Sequence, residues 1–412
     1  MKIAIMGCGT VGTGVYEIIK NTPDVLLKGA HGEKLEVKYI LDIRAFDDPE
    51  KEALRVTDLS VILSDPEVGI VVESMGGLNP AYEFCMQCLN AGKSVVTSNK
   101  LLVAEKAEDL FAAAKANNVS FRFGAAVCGG IPVIRTMFYG LAANEITGFA
   151  GILNGTSNFI LTKMIRDKMS NAAALALAQE YGYAEKDPTD DIEGFDAARK
   201  TAILASICSG RHIYPNEIHT EGVTAISAED VEYVNGADAK IKLLGRAEKL
   251  ENGKIYACVS PAVVNKEDLL ASVEGVFNAL KVYGTRVGEV MLYGPGAGKD
   301  ATASAVTADI LDCVRAPGFD TAYCWENAAE NAVLPYDAYV TALYVRGYAN
   351  DKKRAVTQIR ERFDGVRFLS RANAPENELA FITDRRAERE LRASLETLDG
   401  FAAANVIRVI HS

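Results

Sequence analysis

The sequence predicts an α/β chain with three parts: a parallel, doubly wound sheet first, an α+β unit after it, and a small βαββαβ module at the end. Three observations carry that prediction. Short apolar runs alternate with helix-length segments through residues 3–123. A glycine-rich turn joins the first apolar run to its helix. The final segment, residues 337–412, has its own strand and helix order.

Composition bounds the rest. At 412 residues the chain is long enough for two or three domains, each with a core. A hydrophobic content of 49% with 24% charged residues is ordinary for a soluble globular protein. The net charge of -11 and the absence of a basic cluster argue against a nucleic-acid partner. No apolar stretch reaches membrane-spanning length, and the apolar run after Lys2 breaks at Gly7, too early for a signal peptide. Eight scattered cysteines suit reduced thiols in a cytoplasmic protein. Cys85 and Cys88 form a lone CxxC, read as two buried small side chains.

Residues 3–6 form the first strand, and Gly7-Cys8-Gly9-Thr10-Val11-Gly12 follows at once. Val15, Ile18 and Ile19 then recur at helical spacing. This is GxGxxG between a strand and a helix, the Rossmann-type setting in which glycines admit a pyrophosphate to the helix N-terminus. Gly7, Gly9, Thr10, Val11 and Gly12 are therefore candidate NAD or NADP contacts. The second strand, residues 37–42, ends in Asp42, with Arg44 just beyond. An acid there suits the ribose hydroxyls of NAD and an arginine the 2′-phosphate of NADP, so both cofactors stay open. Strands at 69–73, 94–97 and 119–123 alternate with helices at 80–91 and 102–117. Ligand contacts belong at the carboxyl ends of such strands, which puts Gly76, Ser98 and Lys100 near the cofactor. An exposed loop lysine is the plain alternative for Lys100.

The pattern then changes. Val127–Pro132 is a glycine-rich turn, and a strand at 146–153 leads to Asn154-Gly155-Thr156-Ser157-Asn158, a dense set of small polar donors before a helix. Residues 181–200 gather Glu185, Asp187, Asp190, Asp191, Glu193 and Asp196 and close with Lys200. A turn at Pro188 feeds a helix from about Gly194, so Asp196 and Lys200 share one helical face. Alone, this stretch reads more readily as a solvated acidic loop with an ordinary ion pair.

Taken together, these motifs resemble a homoserine dehydrogenase. The similarity rests on Gly7–Gly12, Ser98-Asn99-Lys100, Ala126–Pro132, Asn154–Asn158, Gly182-Tyr183-Ala184-Glu185 through Asp196–Lys200, and Gly294-Pro295-Gly296-Ala297-Gly298 with Thr302–Val306. The resemblance implies reversible reduction of L-aspartate 4-semialdehyde to L-homoserine with NAD(P)H, in threonine, methionine and isoleucine biosynthesis. It implies Lys200 as proton donor, Lys100 beside cofactor and substrate, and Glu185, Asp191 and Asp196 in the substrate and water network. Asn154, Gly155, Thr156 and Tyr183 fall with the substrate, and Gly298 with the cofactor. The chemistry agrees: an α-ammonium wants carboxylates, and an aldehyde oxygen gaining charge wants a cation. A lysine donor near neutral pH wants its pKa lowered from about 10.4 by desolvation or a second cation, a role for Lys100.

The chain departs from the family's pattern in places. Carbonyls of Val127, Gly129 and Ile131 match a sodium or potassium site, but Gly124 stands where the family has a glutamate. Lys299-Asp300-Ala301 replaces a common proline before the threonine. The expected domains are 1–130 plus 294–318 for the nucleotide, 131–293 for substrate and dimerisation, a linker at 319–336, and an ACT-like module at 337–412. ACT ligand loops often carry Pro-Gly, whereas this chain has Lys352-Lys353-Arg354, so an amino-acid effector and a purely oligomerising role both stand. A homodimer or homotetramer is implied. Two other functions stay open: another Rossmann oxidoreductase on a small amino-acid aldehyde or keto acid, and a non-catalytic cofactor-binding regulator.

Overall fold

In the computed structural model, which describes residues 1–410, the first apolar run lies inside a six-stranded sheet. Strands β1 (Lys2–Met6), β2 (Glu36–Leu41), β3 (Arg55–Val56), β4 (Val68–Glu73), β5 (Ser94–Thr97) and β6 (Phe121–Arg122) run in the order β3-β2-β1-β4-β5-β6. Every neighbouring pair is parallel. Ile3, Ile5 and Val72 are fully buried and pack with Val15 and Ile19 of the helix Thr10–Asn21. Burial on both faces is why these strands read as unbroken apolar runs. Strand order reverses at β1 and β4, which opens a crevice at their carboxyl ends.

This sheet belongs to a compact unit made of Met1–Ile146, Ala202–Pro215 and Tyr283–Ala329. The later return of the chain to it is built on Gly14. A Cβ there would stand 2.8 Å from the Ala303 Cβ, so only glycine lets the helix Lys299–Arg315 press against the helix Thr10–Asn21. Residues 319–329, expected as linker, pack here too: the Trp325 ring lies 5.0 Å from Phe111 and 5.4 Å from Phe123. Strand β12 (Gly288–Pro295) falls in the same unit.

A second unit holds Thr147–Thr201, Asn216–Val282 and the chain from Glu330 onward. Its sheet is formed by β7 (Ile146–Ile152), β9 (Ala239–Lys249), β10 (Ile255–Asn265), β11 (Phe277–Gly284), β13 (Val340–Ala349), β14 (Arg367–Leu369), β15 (Glu378–Ile382) and β17 (Phe401–Val409). The order is β11-β7-β9-β10-β17-β13-β15-β14, with β8 (His219–Thr220) on β10 and β16 (Arg386–Ala387) on β13.

The C-terminal segment keeps the expected strand and helix order, with the helices Lys352–Arg362 and Glu388–Glu396 covering Leu343, Val345 and Phe381. Its sheet, however, is continuous with the central one. β17 pairs in parallel with β10 at Ala262↔Arg408 and Val263↔Val409, and antiparallel with β13 on its other side. An uncovered β17 edge would expose unpaired backbone groups, and β10 covers it. The expected separation of residues 337–412 is thus not seen in the sheet.

Candidate active-site elements

The glycine turn of the first unit has the stereochemistry its sequence demands. Gly7 takes φ +83°, and a Cβ on Gly12 would lie 2.2 Å from the Gly7 carbonyl oxygen. Around Gly9 a Cβ would meet nothing within 4 Å, so this face is open to an approaching ligand. The helix Thr10–Asn21 has no side-chain cap, which leaves its first amides directed outward at the positive end of the dipole. These features fit a dinucleotide pyrophosphate. Cys8 N–H donates to Asp42 Oδ2 at 2.9 Å, and Arg44 Nε and Nη2 donate to the two Asp42 oxygens at 3.1 and 2.8 Å. The Arg44 hydrogen bonds outweigh burial and hold the Asp42 carboxyl far below its usual range.

At the end of β4, Glu73 is fully buried and organises the next turn. Its carboxylate accepts from Met75 N–H at 2.8 Å, Gly76 N–H at 3.3 Å and Thr97 Oγ1 at 2.5 Å. Burial raises its pKa, and those hydrogen bonds oppose the rise. Asn99 then caps the helix Lys100–Ala116, accepting from Leu102 N–H at 3.1 Å, and donates to Gly77 O at 2.6 Å. The cap starts this helix at Lys100, earlier than its apolar spacing suggests. Ser98 and Lys100 flank the cap at the carboxyl end of β5, and Gly298 caps the helix Lys299–Arg315 at φ +112°.

In the second unit a hydrogen-bonded chain forms around Asn154. Its Oδ1 caps the helix Gly155–Asp167 by accepting from Ser157 N–H at 2.8 Å. Its Nδ2 donates to Asp191 Oδ1 at 2.6 Å and to Asp196 Oδ2 at 2.9 Å. Lys200 Nζ donates to the same Asp196 oxygen at 2.7 Å and to Leu153 O at 2.8 Å. Burial raises the Asp191 carboxyl above its ordinary range, with the Asp196 charge adding to it against the pull of Asn154. Gly155 is required sterically, since a Cβ would lie 2.7 Å from Val276 O. Thr156 Oγ1 donates to Tyr183 O at 2.7 Å, and the Tyr183 ring packs on Phe159 at 5.1 Å.

Thus Asn154, Asp191, Asp196 and Lys200 are brought together, with Thr156 and Tyr183 beside the same helix. Glu185 is exposed; its carbonyl accepts from Gln179, and its carboxylate takes no part in that chain. Two residues went unnoticed in the sequence. Glu73 was legible as an acid closing the apolar run Gly-Ile-Val-Val. Asn278, in the apolar stretch Phe277–Leu280, donates to Leu153 O at 3.0 Å and so shares that acceptor with Lys200.

The turn matched to a monovalent-cation site is differently furnished. Gly124 N–H donates to Asp309 Oδ2 at 2.6 Å, and a Cβ on Gly124 would lie 2.6 Å from Asp309 Oδ1. The carboxylate of Asp309 therefore fills the space beside residue 124. Of the three carbonyls, that of Ile131 already accepts from Val133 N–H at 2.7 Å. The acidic group beside residue 124 is thus supplied by Asp309 of the helix Lys299–Arg315.

Comparison with known proteins follows the same two parts. A family model described as the NAD binding domain of homoserine dehydrogenase matches residues 7–124, and one described as homoserine dehydrogenase matches 132–311. A homoserine dehydrogenase of Pseudomonas aeruginosa is 36% identical over 99% of this chain and 98% of its own length. The crystal structure of a homoserine dehydrogenase from Thiobacillus denitrificans superposes with a TM-score of 0.87 at 36% identity, covering 100% of this chain and 98% of that one. A hyperthermophilic archaeal homoserine dehydrogenase in complex with NADPH gives a TM-score of 0.66 at 29% identity, covering 77% of this chain and 99% of that one.

Proposed function

The chain belongs to the homoserine dehydrogenase family, and from that premise we propose which of its residues carry the family's reaction. It is an oxidoreductase that uses NAD(P) and acts on a small-molecule substrate. The dinucleotide, when bound, supplies or accepts the hydride. The open turn Gly7–Gly12 binds the pyrophosphate, with Gly76, Ser98 and Gly298 as further contacts and Lys100 as the lysine of the cofactor side. Arg44, whose side chain keeps 64% of its exposure while gripping Asp42, is placed to meet a 2′-phosphate, which favours NADP.

On the substrate side, Lys200 gives its proton to the carbonyl oxygen of L-aspartate 4-semialdehyde as that oxygen gains charge, and takes it back from L-homoserine in reverse. The observation that carries this role is the double hold on its ammonium by Asp196 and Leu153 O. Two fixed acceptors direct the group and leave no rotation to be frozen during reaction. Asp191, Asp196 and Glu185 receive the α-ammonium of the substrate, while Asn154, Gly155, Thr156 and Tyr183 shape the turn around it. We also propose a homodimer or homotetramer, an amino-acid effector at the C-terminal module, and a cytoplasmic location. The last is supported by eight free cysteines, seven of them buried, and among the described residues no helix is long and apolar enough to cross a membrane.

Steady-state oxidation of L-homoserine with NAD and NADP in turn tests the reading. Turnover is expected with at least one, with the lower KM for NADP. Lys200→Ala should lower kcat by about 100- to 10,000-fold and leave cofactor binding by fluorescence titration intact. Survival of activity in that variant would refute the assigned role.

A further inference from the structure

We propose that the C-terminal module positions the substrate loop through the ion pair of Arg408 with Glu221, making Glu221 and Arg408 positioning residues for the reaction. The inference rests on the reading of Asp191 as a substrate ligand.

Arg408 lies on β17, the strand that joins the module to β10, and is 1% exposed. Its guanidinium grips two carboxylates at once. Nη1 and Nη2 donate to Glu221 Oε2 and Oε1 at 2.8 and 2.9 Å. Nε and Nη2 donate to Glu388 Oε2 and Oε1 at 2.7 and 2.8 Å. A planar fork that is bidentate on both sides fixes the direction of each partner, which a lysine could not do. Glu388 is anchored inside the module. It opens the helix Glu388–Glu396, where the dipole favours an acid, and Arg392 Nε holds it at 2.8 Å. Glu221 is therefore the end of the grip that reaches another part of the chain.

That part is the bed of the acidic loop. Glu221 N–H donates to Val259 O at 2.8 Å, and Val223 N–H donates to Ile192 O at 2.7 Å. Between them, Gly222 has no room for any side chain: a Cβ would lie 2.1 Å from Ile192 O and 2.5 Å from Glu193 Cα. On the other flank, Gly194, at φ +83°, rests against Thr220, Val259 and Glu221 O. Residues 220–223 thus support the backbone on both sides of Ile192, the residue next to Asp191. The Asp191 carboxylate is held by Asn154, so any shift of this backbone is felt at the ligand itself.

Two more contacts hold the same point. His219 Nε2 bonds Glu221 Oε1 at 2.7 Å, and its ring stacks on Tyr336 at 3.5 Å. Burial pulls the Glu221 carboxyl upward, but His219 and Arg408 outweigh it and hold the pKa at about 2. The grip is permanent across working pH, so it is a brace and not a pH switch.

The test uses the full chain with Glu221→Gln, an isostere that breaks the charged fork but leaves Arg408 paired with Glu388. KM for L-homoserine is expected to rise about tenfold, with kcat within about twofold and the cofactor dissociation constant unchanged. Arg408→Lys, which keeps the charge and loses the fork, should give a smaller rise in the same constant. A folded Glu221→Gln protein with an unchanged KM for L-homoserine would overturn the proposal. A parallel rise in the cofactor constant would also overturn it, because that marks general loosening. If Glu221→Gln fails to fold, an unchanged KM in Arg408→Lys decides against it. Absence of turnover in the unsubstituted chain would instead sink the functional reading, and this inference with it.

Discussion

Replacing Asp309 by asparagine should remove part of the pH dependence of stability in the nucleotide-binding unit. Asp309 is buried on the helix Lys299–Arg315, and its carboxyl is pushed up to about 7, first by burial and then by the Asp312 charge, against the pull of Gly124 N–H, Arg122 and Arg135. The unfolded chain releases this proton near 3.8, whereas the folded chain keeps it to about 7. A raised folded-state pKa gives stability that is complete below about 4 and lost as pH rises through about 7. With about 1.4 kcal/mol for each pH unit between the two values, the loss is about 4 kcal/mol. Asparagine does not titrate, and its Oδ1 can keep the bond from Gly124 N–H. About 3 kcal/mol of this falls between pH 5 and 8, so the variant should gain on the parent by about 8 °C in Tm over that range for a unit of this size. Trp325 is the one tryptophan of the chain and stacks edge-on 5.4 Å from Phe123, the residue before Gly124, so its fluorescence reports the melting of this unit. An equal difference in Tm between variant and parent at pH 5 and pH 8 would refute the argument.

Two further outcomes follow from the same unit. Gly12→Ala places a methyl 2.2 Å from the Gly7 carbonyl, and fluorescence titration should show at least about a tenfold loss of NADP affinity, since the turn must open to admit it; unchanged affinity would show that the turn does not bind the pyrophosphate. His212 is buried, its Nδ1 accepts from Trp325 Nε1–H at 3.0 Å and its Nε2 faces Ala104 O at 3.0 Å, and burial lowers its pKa below 6.5. The stability it contributes is therefore present above about pH 6.5 and lost as pH falls below it, so His212→Gln should remove part of the acid sensitivity of the Trp325 melt; an identical acid slope in the variant would refute this.

What could be seen in the sequence was local, and the reason is physical. The Gly7–Gly12 turn is dictated by contacts within six residues, such as the clash a side chain on Gly12 would make with Gly7 O, and spacing alone reveals it. Asp196 and Lys200 meet because one helical turn separates them. Asn154 was legible as a helix cap, since that too is a local bond. Its second task, bridging Asp191 and Asp196 across about forty residues of sequence, depends on where two helices end, and no periodicity encodes that. Glu185 shows the converse: a dense acidic run carries no register, and this side chain lies exposed outside the Asn154 chain while its carbonyl accepts from Gln179.

The opposition of Gly124 and Asp309 carries this reasoning furthest. A glycine where the family has a glutamate looked like a lost ligand when only the turn was considered. With the helix Lys299–Arg315 in place, Asp309 Oδ1 lies 2.6 Å from where the Cβ of residue 124 would be, so glycine is what its presence requires. Gly124→Glu would clash with Asp309 and bury a second carboxylate beside the first. Restoring the family's residue without also changing Asp309 should therefore cost stability before it could create a cation ligand.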